Sequence, residues 1–116
     1  MKNQSLGWVG EGIAKTYLVQ KGFQILHHRW TCRWGEIDFI AQKSKRIHFI
    51  EVKTRNNFEE VLTAQKKHAL YRAGQYFIQS FHSHLQPLIQ FDLILIVPKA
   101  SSSKIFYYPH IMEDPW

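Results

Sequence analysis

Hydrophobic positions recur along this chain at spacings that change from helical to alternating and back, and each change predicts an element. Leu6, Val9, Ile13 and Tyr17 stand at helical spacing, so residues 6–20 read as a helix that stops at Lys21-Gly22. Residues 23–30 (FQILHHRW) read as a first strand. Residues 35–42 (GEIDFIAQ) read as a second, with Ile37 and Phe39 alternating against Glu36 and Asp38, and residues 46–53 (RIHFIEVK) as a third. Lys43-Ser44-Lys45 lies between the last two and predicts a tight turn, hence a β-hairpin. Leu62, Ala69, Ala73, Tyr76 and Phe77 share one stripe of a second helix over 62–81. Gln86-Pro87 breaks the chain. The most apolar run, 88–98 (LIQFDLILIVP), predicts a central buried strand ending at Pro98, and 104–108 (KIFYY) a last strand at an edge. Ala100-Ser101-Ser102-Ser103-Lys104 joins them as a turn. The order α-β-β-β-α-β-β predicts an α/β fold, a mixed sheet flanked by helices, in one domain spanning 1–116.

Side-chain parity in the hairpin carries the first chemical information. Glu36, Asp38 and Ile40 share one face of the second strand; Ile47, Phe49, Glu51 and Lys53 share one face of the third. A turn centred on Ser44-Lys45 sets Ile40 opposite Phe49 and Asp38 opposite Glu51. Opposed side chains sit about 4.5–5.5 Å apart at Cβ, so two carboxylates there repel. A divalent cation between them would remove the conflict, and carboxylates suit a hard ion such as Mg²⁺. Lys53, on the same side as Glu51, can then orient or help deprotonate a water, or offset charge on a phosphate. A surface hairpin of mixed charge would carry the same residues, and spacing alone does not separate the two readings.

Composition narrows the classes. In 116 residues, 45% hydrophobic, a core can form without staples, which argues against disorder. The single cysteine, Cys32, leaves no internal disulfide and reads as an ordinary strand or loop residue, consistent with a reducing compartment. No signal-like run and no stretch near the ~20 apolar residues of a membrane span is present, so a cytoplasmic location and no membrane partner are expected. The net charge of +6 favours a polyanionic partner, although plain solubility explains it equally well. Arg29, Arg33, Arg55, Lys66 and Lys67 are the candidate phosphate contacts, with Arg46 near in sequence. Lys66 falls on the inner line of the second helix, facing either a phosphate or the acidic cluster, or snorkelling at the rim. Trp30 and Trp34 can stack on bases or pack. His27-His28 and His82-x-His84 lack partners at zinc-site spacing, and no phosphate-binding glycine loop occurs.

Gly35-Glu36-Ile37-Asp38, twelve residues, then Glu51-Val52-Lys53 resembles the active-site pattern of the PD-(D/E)XK nuclease superfamily, which includes type II restriction enzymes and archaeal Holliday-junction resolvases. Gly10-Glu11-Gly12-Ile13-Ala14 is similar to the Gly-Glu-x-x-Ala of its first helix. Leu18, Gly22-Phe23, Ile25-Leu26, Phe49-Ile50-Glu51-Val52-Lys53-Thr54-Arg55 and Phe91-Asp92 complete an ordered set that resembles the bacterial YraN family of small endonuclease-like proteins. The resemblance covers nearly the whole chain. It implies a restriction-endonuclease-like sheet and a Mg²⁺ or Mn²⁺ site held by Asp38, Glu51 and the carbonyl of Val52. It further implies Lys53 as catalytic lysine and Glu11 as an additional catalytic acid and metal ligand. The implied activity is metal-dependent cleavage of nucleic acid, with DNA favoured and branched DNA included. The alternative is a nucleic-acid-binding module of the same fold without turnover. A homodimer is compatible with the resolvase likeness. Two positions depart from the family pattern: Arg29-Trp30-Thr31 stands where Asn-x-Arg is usual, and Trp34 precedes Gly35 where a smaller residue is usual.

Overall fold

The computed structural model describes residues 2–56, 62–80 and 87–112, with side chains from Trp8 onward. The elements follow in the order α1 (Lys2–Gln20), β1 (Gln24–Cys32), β2 (Gly35–Lys43), β3 (Arg46–Thr54), α2 (Ala64–Ser80), β4 (Leu88–Val97) and β5 (Lys104–Tyr108). One sheet holds all the strands in the order β1-β2-β3-β4-β5. The mixed α/β sheet flanked by helices is therefore the observed architecture. Among the described residues no helix is long and apolar enough to cross a membrane.

β1, β2 and β3 form an antiparallel meander, β4 runs parallel to β3, and β5 returns antiparallel to β4. The parallel step requires the crossover that α2 supplies. Phe91 through Val97 are all buried, as expected of a strand covered on both faces. The β2–β3 turn is a two-residue loop closed by the Lys43↔Arg46 pair. Ser44 (φ 52°) and Lys45 (φ 64°) both adopt the left-handed conformation that such a loop demands.

Each helix covers one face. α1 lies over Phe39, Ala41, Ile50, Ile94 and Ile96, and α2 lies over Ile40, Ile47, Phe49 and Phe91. The buried line of α1 is Gly10, Ala14 and Leu18. The Val9-Ile13-Tyr17 stripe is rotated out: Ile13 and Tyr17 sit half-buried at its margin and Val9 is 61% exposed. The reason is close approach. A Cβ at Gly10 would collide with Thr54 Oγ1, so small residues, not the bulkiest ones, face the sheet. Leu6 lies outside the described side chains.

α2 begins at Ala64, later than the apolar pattern suggests, because Thr63 Oγ1 accepts the Lys66 N–H at 3.1 Å and caps the helix. Leu62 is buried but precedes the cap. Tyr76 is likewise exposed; the inner line is Leu70, Ala73, Gly74 and Phe77. Gln86 and the His82-x-His84 pair lie outside the described residues. Cys32 packs at the margin of the α2-side core as an ordinary strand residue.

Candidate active site

The β2–β3 ladder runs from Lys43↔Arg46 to Phe39↔Ile50. Beyond that pair β3 continues beside β4 as far as Thr54↔Ile96. A backbone N–H left facing such a gap is costly unless something else accepts it. Asp38 does so: its Oδ2 accepts the Val52 N–H at 2.8 Å. One carboxylate thus takes the place of a ladder carbonyl where the two strands part.

Ile40, Ile47 and Phe49 pack on the α2 side, and strand alternation sets Asp38, Glu51 and Lys53 on that side as well. The register bears this out, since Ile40 pairs with Phe49. The Asp38 and Glu51 carboxyls face each other closely enough for a hydrogen bond between them when one carries a proton. Burial, then that hydrogen bond and the Glu51 charge, push the Asp38 carboxyl up to about 9, against the opposing pull of the Val52 N–H. Lys53 Nζ stands 3.9 Å from Glu51 Oε2. Burial lowers the Lys53 pKa, Glu51 opposes that, and Lys66 beside it reinforces it. The start of α2 therefore brings a second ammonium to the same pocket.

The charge count decides what the pocket can hold. Ionised, Asp38 and Glu51 would carry two negative charges in a desolvated gap against a lysine whose pKa burial lowers. A proton shared between the acids relieves this, and so would a divalent cation with oxygen preference. Among the described residues no three His, Cys, Asp or Glu side chains converge on one point, so the protein's contribution here is a carboxylate pair with the neighbouring backbone.

Glu11 lies close enough to raise the Asp38 pKa, but its carboxylate is engaged elsewhere. Its Oε1 accepts from Arg29 Nε at 2.8 Å and bonds His28 Nε2 at 2.8 Å, while His28 also stacks on Phe39 at 4.5 Å. Consecutive residues of a regular strand point to opposite faces. Here Arg29 has φ 56°, and this left-handed kink lets both neighbours reach one carboxylate. Asn tolerates that conformation better than Arg does. The departure at Arg29 therefore exchanges backbone ease for an ion pair on Glu11.

Glu36 also belongs to this neighbourhood. It still reaches solvent, yet partial burial, Asp38 and Glu11 raise its carboxyl pKa. Strand parity places it on the Asp38 face but cannot reveal desolvation, which depends on what packs around it.

The basic candidates separate. Lys66 faces Lys53. Arg29 is committed to Glu11 and lies 5.3 Å from the Trp8 ring centre. Arg55 is exposed just past β3, where its N–H donates to the Ile96 carbonyl. Lys67 is half-buried in the first turn of α2. Arg33 is exposed at the β1–β2 connection, 4.9 Å from the Trp34 ring centre.

A second buried acid lies on β4. Asp92 is fully buried. It accepts from His48 Nδ1 at 2.7 Å, Gln90 Nε2 at 2.9 Å, the His110 N–H at 3.1 Å and the Tyr107 hydroxyl. Burial would raise its pKa, but the bonds from His48, Tyr107, Gln90 and His110 outweigh it and hold the carboxyl below the usual range. Hydrophobic pattern marks Asp92 as a polar interruption of an apolar strand, and the family resemblance includes Phe91-Asp92, but neither shows the donors that surround it.

Comparison with known proteins adds a family. The profile of an uncharacterised protein family, UPF0102, matches residues 10–96. A UPF0102 protein of Synechococcus sp. is 41% identical over 111 residues, covering 90% of this chain and 83% of its own length. One from Desulfitobacterium hafniense is 38% identical over 98 residues, covering 80% and 81%. One from Syntrophomonas wolfei is 36% identical over 108 residues, covering 89% and 93%.

Proposed function

The chain belongs to the uncharacterised UPF0102 family, the YraN-type family of PD-(D/E)XK nuclease-like proteins, and from that premise we propose that it hydrolyses phosphodiester bonds of nucleic acid with Mg²⁺ or Mn²⁺. The observation that carries the reading is the Asp38–Glu51 contact at the parting of β2 and β3, with Lys53 beside it. A fold gains nothing from pressing two acids together out of water. A cation site and a water-activating site both need that arrangement.

Asp38, Glu51 and the Val52 carbonyl would hold the cation. When bound, it supplies positive charge that polarises the phosphate and acidifies a water. The protein's own groups account for the rest. The Val52 N–H holds the Asp38 carboxylate in place. Lys53, its pKa lowered by burial, can take a proton from the attacking water or donate to a phosphate oxygen as charge builds. Lys66 adds charge for the same phosphate. DNA, branched forms included, is the substrate class favoured by the resemblance, in a cytoplasmic setting; a homodimer is compatible with it. Glu11 joins the ligand set only on exchanging its bonds to Arg29 and His28.

That engagement of Glu11 favours one other reading, a nucleic-acid-binding module without turnover. One experiment separates them. Labelled single-stranded, duplex and branched DNA and RNA are incubated with Mg²⁺ or Mn²⁺, beside Asp38→Asn and Lys53→Ala. Cleavage by the parent, lowered at least about 100-fold in both variants, is expected. Cation-independent binding with no cleavage overturns the enzyme and leaves the module. Growth of crystals in Mn²⁺ should place density between Asp38 and Glu51.

A further inference from the structure

The β1–β2 connection carries an aromatic and cationic surface that the cation site does not use. Cys32 pairs with Gly35, so Arg33 and Trp34 form the tip of a two-residue hairpin loop. Turn chemistry favours Asn or Gly at such positions and asks for no tryptophan. Trp34 is 36% exposed. Two guanidinium groups lie 4.9 Å from its ring centre, Arg33 from the loop and Arg72 from α2. Among the described residues neither arginine forms an ion pair; Arg72 Nε donates only to His68 Nε2, at 3.3 Å. Tyr76, 45% exposed, continues the surface along α2, resting on Trp30, which stands edge-on to buried Phe77 at 5.3 Å. The platform is therefore anchored to the core while its outer rings meet water.

We propose that Arg33, Trp34, Arg72 and Tyr76 form a stacking platform for unpaired bases, so that the substrate is nucleic acid with a single-stranded segment. This rests on nucleic acid being the substrate of the acidic site. Flat, exposed rings bind the π-faces of bases, which a duplex keeps stacked on one another and a single strand presents. Arginines lying on a ring keep their N–H edges free for phosphates, giving the same surface a backbone contact. Position agrees with the chemistry. Arg72 and Tyr76 belong to α2, which covers the face onto which Glu51 and Lys53 project. Trp34 precedes Asp38 by four residues, roughly 13 Å of strand. A strand stacked at the hairpin tip would thus pass over the carboxylate pair within a few nucleotides. The departure at Trp34 supplies one ring of this surface and Tyr76 the other.

The test measures binding by fluorescence anisotropy of labelled single-stranded and blunt duplex oligonucleotides in EDTA, so that cleavage plays no part. The full chain is used as parent, Trp34→Ala, Trp34→Phe and Arg72→Ala. The parent should hold the single strand more tightly than the duplex. Trp34→Ala should weaken the single strand about tenfold or more and leave the duplex within twofold, while Trp34→Phe, which keeps a π-face, restores most of the loss. Arg72→Ala should weaken both and flatten the salt dependence. Equal single-strand affinity of parent and Trp34→Ala, or parent preference for the duplex, overturns the platform. Cleavage by a parent whose Trp34→Ala variant binds normally sinks the platform alone; stacking without any cleavage sinks the enzyme alone.

Discussion

Asp38 and Asp92 are both buried acids on strands of the same sheet, and their surroundings could hardly differ more. Asp92 receives bonds from His48, Gln90, Tyr107 and His110, and its carboxyl is held below the usual range despite burial. Asp38 receives the Val52 N–H and faces a second acid, and its carboxyl is pushed up to about 9. A buried acid ringed by donors ties a structure together; one set against a second acid is tolerated when something outside the protein completes the pair. Burial alone thus does not distinguish a structural acid from a functional one. The donors around it do.

The comparison breaks most visibly at Asp92. Asp92→Ala leaves His48, Gln90 and Tyr107 without their acceptor and should cost about 3 kcal/mol in urea denaturation. Asp38→Asn should do the opposite. It removes a carboxyl that the fold keeps protonated and the unfolded chain ionises, keeps an oxygen for the Val52 N–H, and should stabilise the cation-free protein by about 1–2 kcal/mol at pH 7 while cleavage is lost. The pH dependence sharpens this. Asp38 is raised in the folded state, so the unfolded chain releases this proton first, and stability falls as pH rises from about 4 toward about 9. Asp92 is lowered, so its contribution is present above the ordinary carboxylate pKa of about 3.9 and is lost as pH falls through the folded value. Denaturation midpoints from pH 4 to 9 should decline in the parent and flatten in Asp38→Asn. A flat parent would remove the contrast.

Helix α1 tests whether the two acids depend on the same packing. Gly10→Ala must push against Thr54 Oγ1 and should cost about 1–2 kcal/mol. Because Glu11 is the next residue, the variant should also loosen the Arg29 and His28 contacts, visible as altered His28 ring shifts in NMR, with the His48 shifts largely unmoved. The smallest effect belongs to the hairpin turn. Lys45→Gly relieves a left-handed non-glycine residue and should add about 1 kcal/mol without changing the difference between the acids.

Much of this molecule was legible before any coordinates, because strand parity and apolar runs are local properties. The five strands, the Ser44-Lys45 turn, the Ile40–Phe49 register and the meeting of Asp38 with Glu51 all follow from period and turn position. What failed to show was always a matter of close approach between distant segments. Gly10, Ala14 and Leu18 line the inner side of α1 because β3 comes too near for Val9. The helix between β3 and β4 was legible, but that β4 lies directly beside β3 depends on packing across the sheet.

By itself, then, the sequence determined which residues can be acids, bases and rings at one end of a hairpin, since alternation and turn geometry act between neighbours. Only the tertiary structure decided their states: that Glu11 is held by Arg29 and His28, that Glu36 is partly desolvated, that Lys66 stands by Lys53, and that Asp92 is ringed by donors while Asp38 faces a second acid. Charge state depends on solvent exclusion and on donors brought from far along the chain, and neither is written in the spacing of the residues that carry it.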